Sequence, residues 1–279
     1  MFRWYQCASV CYVYLSDLLC AIGPEDASLE HCRWFQRSWT LQELIAPRNI
    51  KFYSCNWDFC FSKSHASVWL SRIANINIEI LQHEKSLTSI YVAQKMSWAR
   101  FRKATRVEDI AYSLLGIFDI NMPLVYGDGN KAFMRLQYEI IRSTPDLSIP
   151  AWSYDLTSGY EYTIRSECDG TLFNTVLASS PDSFRGCHNF RELQNHSTPD
   201  FSVSNRGVQI RAKFGLEHSS NSAQEVFPVC QFEIWILAIK VRNVGAGCYV
   251  RQDPMELVSV APWQMSHRFM SNPILLGLT

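Results

Sequence analysis

The feature that most constrains this fold is a change of pattern at Pro145 and Pro150. Before these prolines, short aromatic or β-branched runs alternate with segments of helical period. After them come short strand-like runs separated by turn-forming residues. A chain that switches period once is expected to build an α/β and helical piece, then a β piece. The length of 279 residues suits two domains better than one. The expected division is 1–145 and 146–279.

Within the first part, VCYVYL (10–15) predicts a buried strand ended by Ser16-Asp17, and residues 18–30, with Gly23-Pro24, predict a loop. HCRWFQRSWTLQELIA (31–46) places Trp34, Leu41, Leu44 and Ile45 at near-helical spacing and stops at Pro47, which cannot continue a helix. IKFYS (50–54) predicts a second strand, broken by Asn56-Trp57-Asp58. A helical extension is expected over 61–145. In it, Thr105 with Glu108 three residues on predicts a capping box that launches VEDIAYSLLGIF. Asn121, Pro123, Gly127 and Gly129 predict a loop, followed by an amphipathic helix with Phe133, Leu136 and Ile140 on one face. Beyond 150, TLFNTVLAS, FSVSNRGVQIRAKF, PVCQFEIWILAIKV and CYVRQD predict an antiparallel β-rich module.

Composition narrows the function classes. With 47% apolar residues the chain can fill a core, which excludes disorder as its ground state. The 26 basic and 26 acidic side chains cancel, so charge draws it to no nucleic acid. No apolar run is long enough for a membrane span. The ten cysteines form no C-x-x-C pair and read as buried thiols of a reduced, cytoplasmic protein. The seven histidines are scattered, without H-E-x-x-H, and G-x-S-x-G is missing, so neither a metal site nor a serine nucleophile is indicated. Tyr126-Gly127-Asp128-Gly129-Asn130-Lys131 lacks phosphate-loop spacing and reads as a helix-opening turn. Arg100, Arg102, Lys103 and Arg106, with Trp98 and Phe101, read as a solvated junction between helices, a nucleotide or anion contact being the competing reading. Glu108 or Asp109 is expected to pair with Arg102 or Arg106 and to fix the helix packing.

Four blocks carry a family resemblance: MFRWYQCASVCYVYLSDL (1–18), RWFQRSWTLQELIAPRNIKFY (33–53), the long stretch from Ala93 to Ile141, and LASSPDSF (177–184). Together they resemble fungal heterokaryon incompatibility (HET) domain proteins. The resemblance implies a role in non-self recognition between hyphae and in programmed cell death, with protein partners in that signalling. It also implies strands upstream of the first block, so the chain is expected to be an N-terminally truncated HET domain followed by the β-rich module.

The order strand, loop, R-S-W-T-L-Q-E-L helix, strand also resembles the middle of Toll/interleukin-1 receptor (TIR) domains. The fold class this implies is an incomplete TIR-like or flavodoxin-like α/β domain. In NAD-cleaving TIR members the Glu of this motif is catalytic, which here implies Glu43 as catalytic residue and NAD as substrate, with no resident cofactor. Trp39, one helical turn before Glu43, is implied as an aromatic wall, and Ser16 and Asp17 as binding residues at the carboxyl end of the first strand. The alternatives are a non-enzymatic module that signals by homo-oligomerisation and an inactive truncated product.

Overall fold

The structure, a computed structural model, describes residues 1–153 and 176–187 and the segments 190–191, 200–204, 207–211, 217–218, 225–232, 235–245, 248–252, 257–260 and 274–277. Contacts divide the chain into two units, Met1–Ile90 with Lys95–Leu136, and Tyr91–Gln94 with Gln137–Thr279. It is a mixed α/β protein with a largely antiparallel sheet in its C-terminal part.

The first unit opens with helix α1 (Phe2–Cys7) and strand β1 (Cys11–Tyr14). The crossover carries two short helices, α2 (Arg33–Gln36) and α3 (Thr40–Ile45), and returns as β2 (Ile50–Tyr53), parallel to β1. A third strand, β3 (Phe59–Ser62), lies antiparallel on β2 and gives the order β1-β2-β3. Among the described residues, one face of this sheet is covered and the other is not. Val13, Leu15, Ile50, Phe52 and Phe61 are buried with Trp34, Phe35, Leu41 and Leu44, while Tyr12 and Tyr14 are exposed. The expectation of a fully buried first strand is therefore corrected. Its apolar run is aromatic at alternate positions, and the period of two sends those tyrosines to the open face.

The expected helix over 31–46 is interrupted at Arg37-Ser38-Trp39. There the Ser38 N–H donates to the Lys103 carbonyl at 2.9 Å, in an isolated parallel bridge between Arg37 and Lys103. A long-range backbone bond has replaced an intrahelical one. The helical extension follows as α4 (Ser67–Ala74), α5 (Ile78–Leu81), α6 (Val92–Ser97), α7 (Glu108–Tyr112), α8 (Leu115–Phe118) and α9 (Lys131–Ser143). Phe133, Leu136 and Ile140 of α9 are buried, as their spacing requires.

The expected capping box does not form. The residue before α7 is Val107, with no side-chain cap. The Glu108 carboxylate instead accepts from the N–H groups of Gly127 at 2.7 Å and Gly129 at 3.1 Å. Both glycines have positive φ, so the turn curls its amides around one carboxylate. A carboxylate held there cannot reach back to Thr105. The expected ion pair fails for the same reason. Asp109 accepts from the Tyr126 hydroxyl at 3.0 Å, and Arg106 lies over the Tyr126 ring at 4.6 Å, so an aromatic ring mediates between the two charges.

In the second unit, Gln137 exchanges two hydrogen bonds with the Ala178 backbone, at 2.8 and 2.9 Å. Trp152, fully buried, donates to the Val176 carbonyl at 2.8 Å. The buried Arg251 guanidinium stacks 4.0 Å from the Trp152 ring and donates to the Pro150 and Trp152 carbonyls. The nine described strands here are β4 (Phe190–Arg191), β5 (Asp200–Ser204), β6 (Gly207–Arg211), β7 (Glu217–His218), β8 (Glu225–Phe232), β9 (Trp235–Gly245), β10 (Cys248–Gln252), β11 (Val258–Val260) and β12 (Ile274–Gly277). Their order is β4-β8-β9-β10-β12-β6-β5, with β11 on β9 and β7 on β8. All pairs are antiparallel except β10 with β12. PVCQFEIWILAIKV is thus the core of a hairpin, not one strand. Of TLFNTVLAS, residues 171–175 lie outside the described residues, and Val176 to Ser179 are irregular.

The cysteines also depart from expectation. Cys32, Cys187 and Cys230 are buried, but Cys7 and Cys20 are exposed and four others are half-exposed; Cys168 lies outside the described residues.

Two consequences can be measured. A Cβ on Gly116 would collide with the Phe2 side chain and sit 2.8 Å from Gln42 Oε1, where α8 meets α1 and α3. Gln42 is buried and donates to the Ser113 carbonyl at 2.6 Å, so it cannot yield. Gly116→Ala should cost ~1–3 kcal/mol in urea unfolding. The second concerns the buried Lys63, which donates to the carbonyls of Ile45 (3.3 Å) and Pro47 (2.8 Å) and lies 3.2 Å from His83 Nε2. Burial pushes its ammonium down to about 7. The unfolded chain therefore binds more protons between the folded value and the ordinary lysine value of about 10.4. Stability carried by this group should rise from about pH 7 upward, and Lys63→Met should flatten that rise in melts taken from pH 7 to 10.

Candidate functional site around Glu43

Glu43 projects half-buried from α3. Its Oε2 accepts from Trp34 Nε1 on α2 at 3.3 Å, and its carboxylate accepts from the Tyr5 hydroxyl on α1. Burial first, then the Glu43 charge and this hydrogen bond, push the Tyr5 phenol up to about 12. The Cys11 thiol, at the start of β1, is raised by burial and then by the same carboxylate. Glu43 is thus enclosed by α1, the amino end of β1 and α2.

The charge opposite is Arg102. Its guanidinium is buried and donates from Nε to the Trp98 carbonyl at 3.2 Å, and from Nη1 to the Arg37 carbonyl at 3.0 Å and Thr40 Oγ1 at 3.1 Å. Burial lowers its pKa to about 10, and the attraction of Glu43 opposes that shift. Arg102 is a buried strut, which corrects the solvated-junction reading for this residue, while Lys103 and Arg106 are exposed. Phe101 before it adopts φ 63°, so the chain turns back and Phe101 faces solvent while Arg102 faces inward.

The residues expected around Glu43 fall in two places. Trp39 precedes α3 with helical dihedrals and is half-buried, four residues from Glu43 and on the same side of the turn. Ser16 and Asp17 are exposed beyond the carboxyl end of β1, the length of the strand away from Cys11. Asp17 Oδ2 accepts from the Arg33 N–H at 2.7 Å and caps α2. Among the described residues no hydrogen bond links Ser16 or Asp17 to Glu43 or Trp39. The sequence reading missed Tyr5, Trp34 and Arg102 as neighbours of this carboxylate. Trp34 lies nine residues from Glu43 across the helix break, so no period could have joined them. Among the described residues, no cluster of three or more His, Cys, Asp or Glu is placed to hold a metal.

Comparison with known proteins adds two findings. Residues 131–210 match a family described as "Domain of unknown function (DUF8212)". The chain is also 40% identical over 147 residues to "Vegetative incompatibility protein HET-E-1" of Podospora anserina, an alignment covering 50% of this chain and 11% of that protein. The chain therefore spans about a tenth of that relative's length. No solved structure matches. No described helix is long and apolar enough to cross a membrane.

Arg102 lends itself to a direct test. Arg102→Met would remove the guanidinium donor from the Trp98 carbonyl, leave the Arg37 carbonyl with Thr40 Oγ1 alone, and should lower stability by ~3–5 kcal/mol in denaturant titration. Arg102→Lys should restore only part, because an ammonium cannot span both donor positions in the guanidinium plane.

Proposed function

We propose that this chain acts in fungal vegetative incompatibility, as an intracellular module of the non-self recognition that ends in programmed cell death. The observation that carries this reading is the 40% identity over 147 residues to a protein named for vegetative incompatibility. The HET-like blocks from 1–18 to 93–141 support it from the sequence side. In this reading the partners are other proteins of the incompatibility response, and the site of action is the cytoplasm. It is tested by expressing the chain in a fungal strain and scoring viability and barrage formation against unlike strains. Normal growth and fusion with every tester strain would reject it.

We also propose the chemistry, cleavage of NAD with Glu43 as the catalytic carboxylate. The TIR-like R-S-W-T-L-Q-E-L motif supports this, as does the placement of Glu43, half-exposed beside Trp34 and on the same side as Trp39. A carboxylate there would stabilise the oxocarbenium-like charge that develops on the ribose as the bond to nicotinamide breaks. Trp39 would supply a stacking wall, and Ser16 and Asp17 would contact the remainder of the dinucleotide. Weighing against it, the Trp34 and Tyr5 donors already occupy the carboxylate and tie it to the packing of α1 and α2. In the non-enzymatic alternative the same residues serve only to hold those helices. The purified chain should consume NAD, and Glu43→Gln, which keeps an acceptor for Trp34, should lower the rate by ~10²–10³ with its far-UV circular dichroism unchanged. Equal NAD loss by wild type and variant would remove Glu43 from the mechanism.

A further inference from the structure

The fold gathers cysteines that the sequence keeps apart. After β1 the chain runs as an irregular loop, residues 15–26, which folds back over the turn between β2 and β3. The Cys55 N–H donates to the Leu18 carbonyl at 2.8 Å, and Asn56 Nδ2 donates to the Leu19 carbonyl at 2.8 Å. Further along, the Ile22 N–H is directed at the sulfur of Cys60, on β3. Cys20 stands between these two anchors, one residue past the first and two before the second. Each residue spans at most ~3.6 Å of chain, so a loop held at Leu19 and at Ile22 keeps Cys20 beside Cys60.

The thiols act on one another electrostatically. Burial raises the Cys60 pKa, the amides of Ile22 and Ser54 oppose that rise, and the Asp58 charge and Cys20 add to it. Cys32, just before α2, belongs to the same group: burial, then Asp17, then Cys60 push its thiol up to about 11. The three differ in access. Cys20 is exposed and Cys60 half-exposed, while Cys32 is buried with its Sγ donating to the Ser28 carbonyl at 3.8 Å. A metal is not the use of this group, since among the described residues no cluster of three or more ligands is placed to hold one. Neighbouring thiols of unequal access suit a different chemistry, in which one meets an oxidant and the other resolves it.

We propose that Cys20 and Cys60 form a redox modification site, closing to an intramolecular disulfide when a peroxide oxidises Cys20. With hydrogen peroxide, the Cys20 thiol gives its proton to water and its sulfur attacks one peroxide oxygen. An S–O bond forms as the O–O bond breaks, and the departing hydroxide takes up a proton and becomes water. The Cys60 sulfur then attacks the Cys20 sulfur. The S–S bond forms, the S–O bond breaks, and a second water leaves with the Cys60 proton. Two thiols have lost two electrons, and the peroxide has become two waters. A disulfide needs Cα atoms about 4.4–6.8 Å apart, and the loop has room to adjust: a Cβ on Gly23 would meet nothing within 4 Å. Closure pins to β3 the loop that carries Asp17, whose carboxylate caps α2 through the Arg33 N–H at 2.7 Å. A small thiol reopens it by exchange. All these contacts lie between residues 15 and 60, and the site stands whether or not NAD is cleaved.

The test is to treat the full reduced chain with a stoichiometric amount of hydrogen peroxide, alkylate it under denaturing conditions, and map its peptides by mass. The Cys20 and Cys60 peptides should appear linked, lighter by two hydrogens than the separate pair, and dithiothreitol should part them. This reading on the wild type needs no variant. Cys20→Ser should abolish the link, and Cys60→Ser should leave Cys20 as a sulfenic acid that dimedone traps, both with wild-type far-UV circular dichroism. Cys20 and Cys60 both recovered as alkylated thiols would overturn the proposal. So would a Cys60 link to Cys32 or Cys55 in place of Cys20, or a Cys20 link found only between two chains.

Discussion

One buried cation organises the first unit. Arg102 reaches three acceptors that sequence distance keeps apart: the carbonyl of Trp98, the carbonyl of Arg37 at the break between α2 and α3, and the hydroxyl of Thr40. A guanidinium presents donors in a fixed plane, so it sets where these segments stand relative to one another. Thr40 Oγ1 in turn donates to the carbonyls of Trp34 and Arg37, closing the open end of α2. Taking a charge out of water is costly, and the structure offsets that cost with acceptors and with the nearby Glu43.

The position of Glu43 follows from this joint. The Arg37–Lys103 bridge stops α2, redirects the chain at Ser38, and starts α3 at Thr40, which brings Glu43 back toward Trp34. A continuous helix would have carried it away. The local strain at Phe101, with φ 63°, belongs to the same arrangement. A bulky residue in the left-handed region costs roughly 1–2 kcal/mol, and it is kept because the turn places Arg102 inside.

The strands at 11–14 and 50–53 and the amphipathic α9 were legible because each rests on local burial. Val13, Leu15, Ile50 and Phe52 read as apolar at strand period, and Phe133, Leu136 and Ile140 at helical period. β3 was missed because Phe59 and Phe61 follow a polar turn too closely to suggest a new strand. The Thr105–Glu108 pattern misled because a capping box is a local proposal, and the Gly127 and Gly129 amides offered that carboxylate a better partner from nineteen and twenty-one residues away. Glu43 and Trp39 entered the candidate site through the motif resemblance alone. The Glu43 neighbours Tyr5, Trp34 and Arg102 were not legible, since Tyr5 and Trp34 lie on two other helices and Arg102 acts on the carboxylate only through its charge, from the segment between α6 and α7.

By itself the sequence determined the alternation of apolar and polar positions, and with it the strands at 11–14 and 50–53, the helix at 131–143 and the strand-rich character of the C-terminal part. Only the tertiary structure decided which partners the polar groups choose: Glu108 for a glycine turn, Asp17 for the first N–H of α2, Arg102 for carbonyls on two segments. It also decided that one face of β1 is left to its tyrosines. The reason is physical. Burial averages over many weak contacts and leaves a periodic trace along the chain, whereas a hydrogen bond or ion pair depends on single atoms meeting in space, and the sequence carries no period for that.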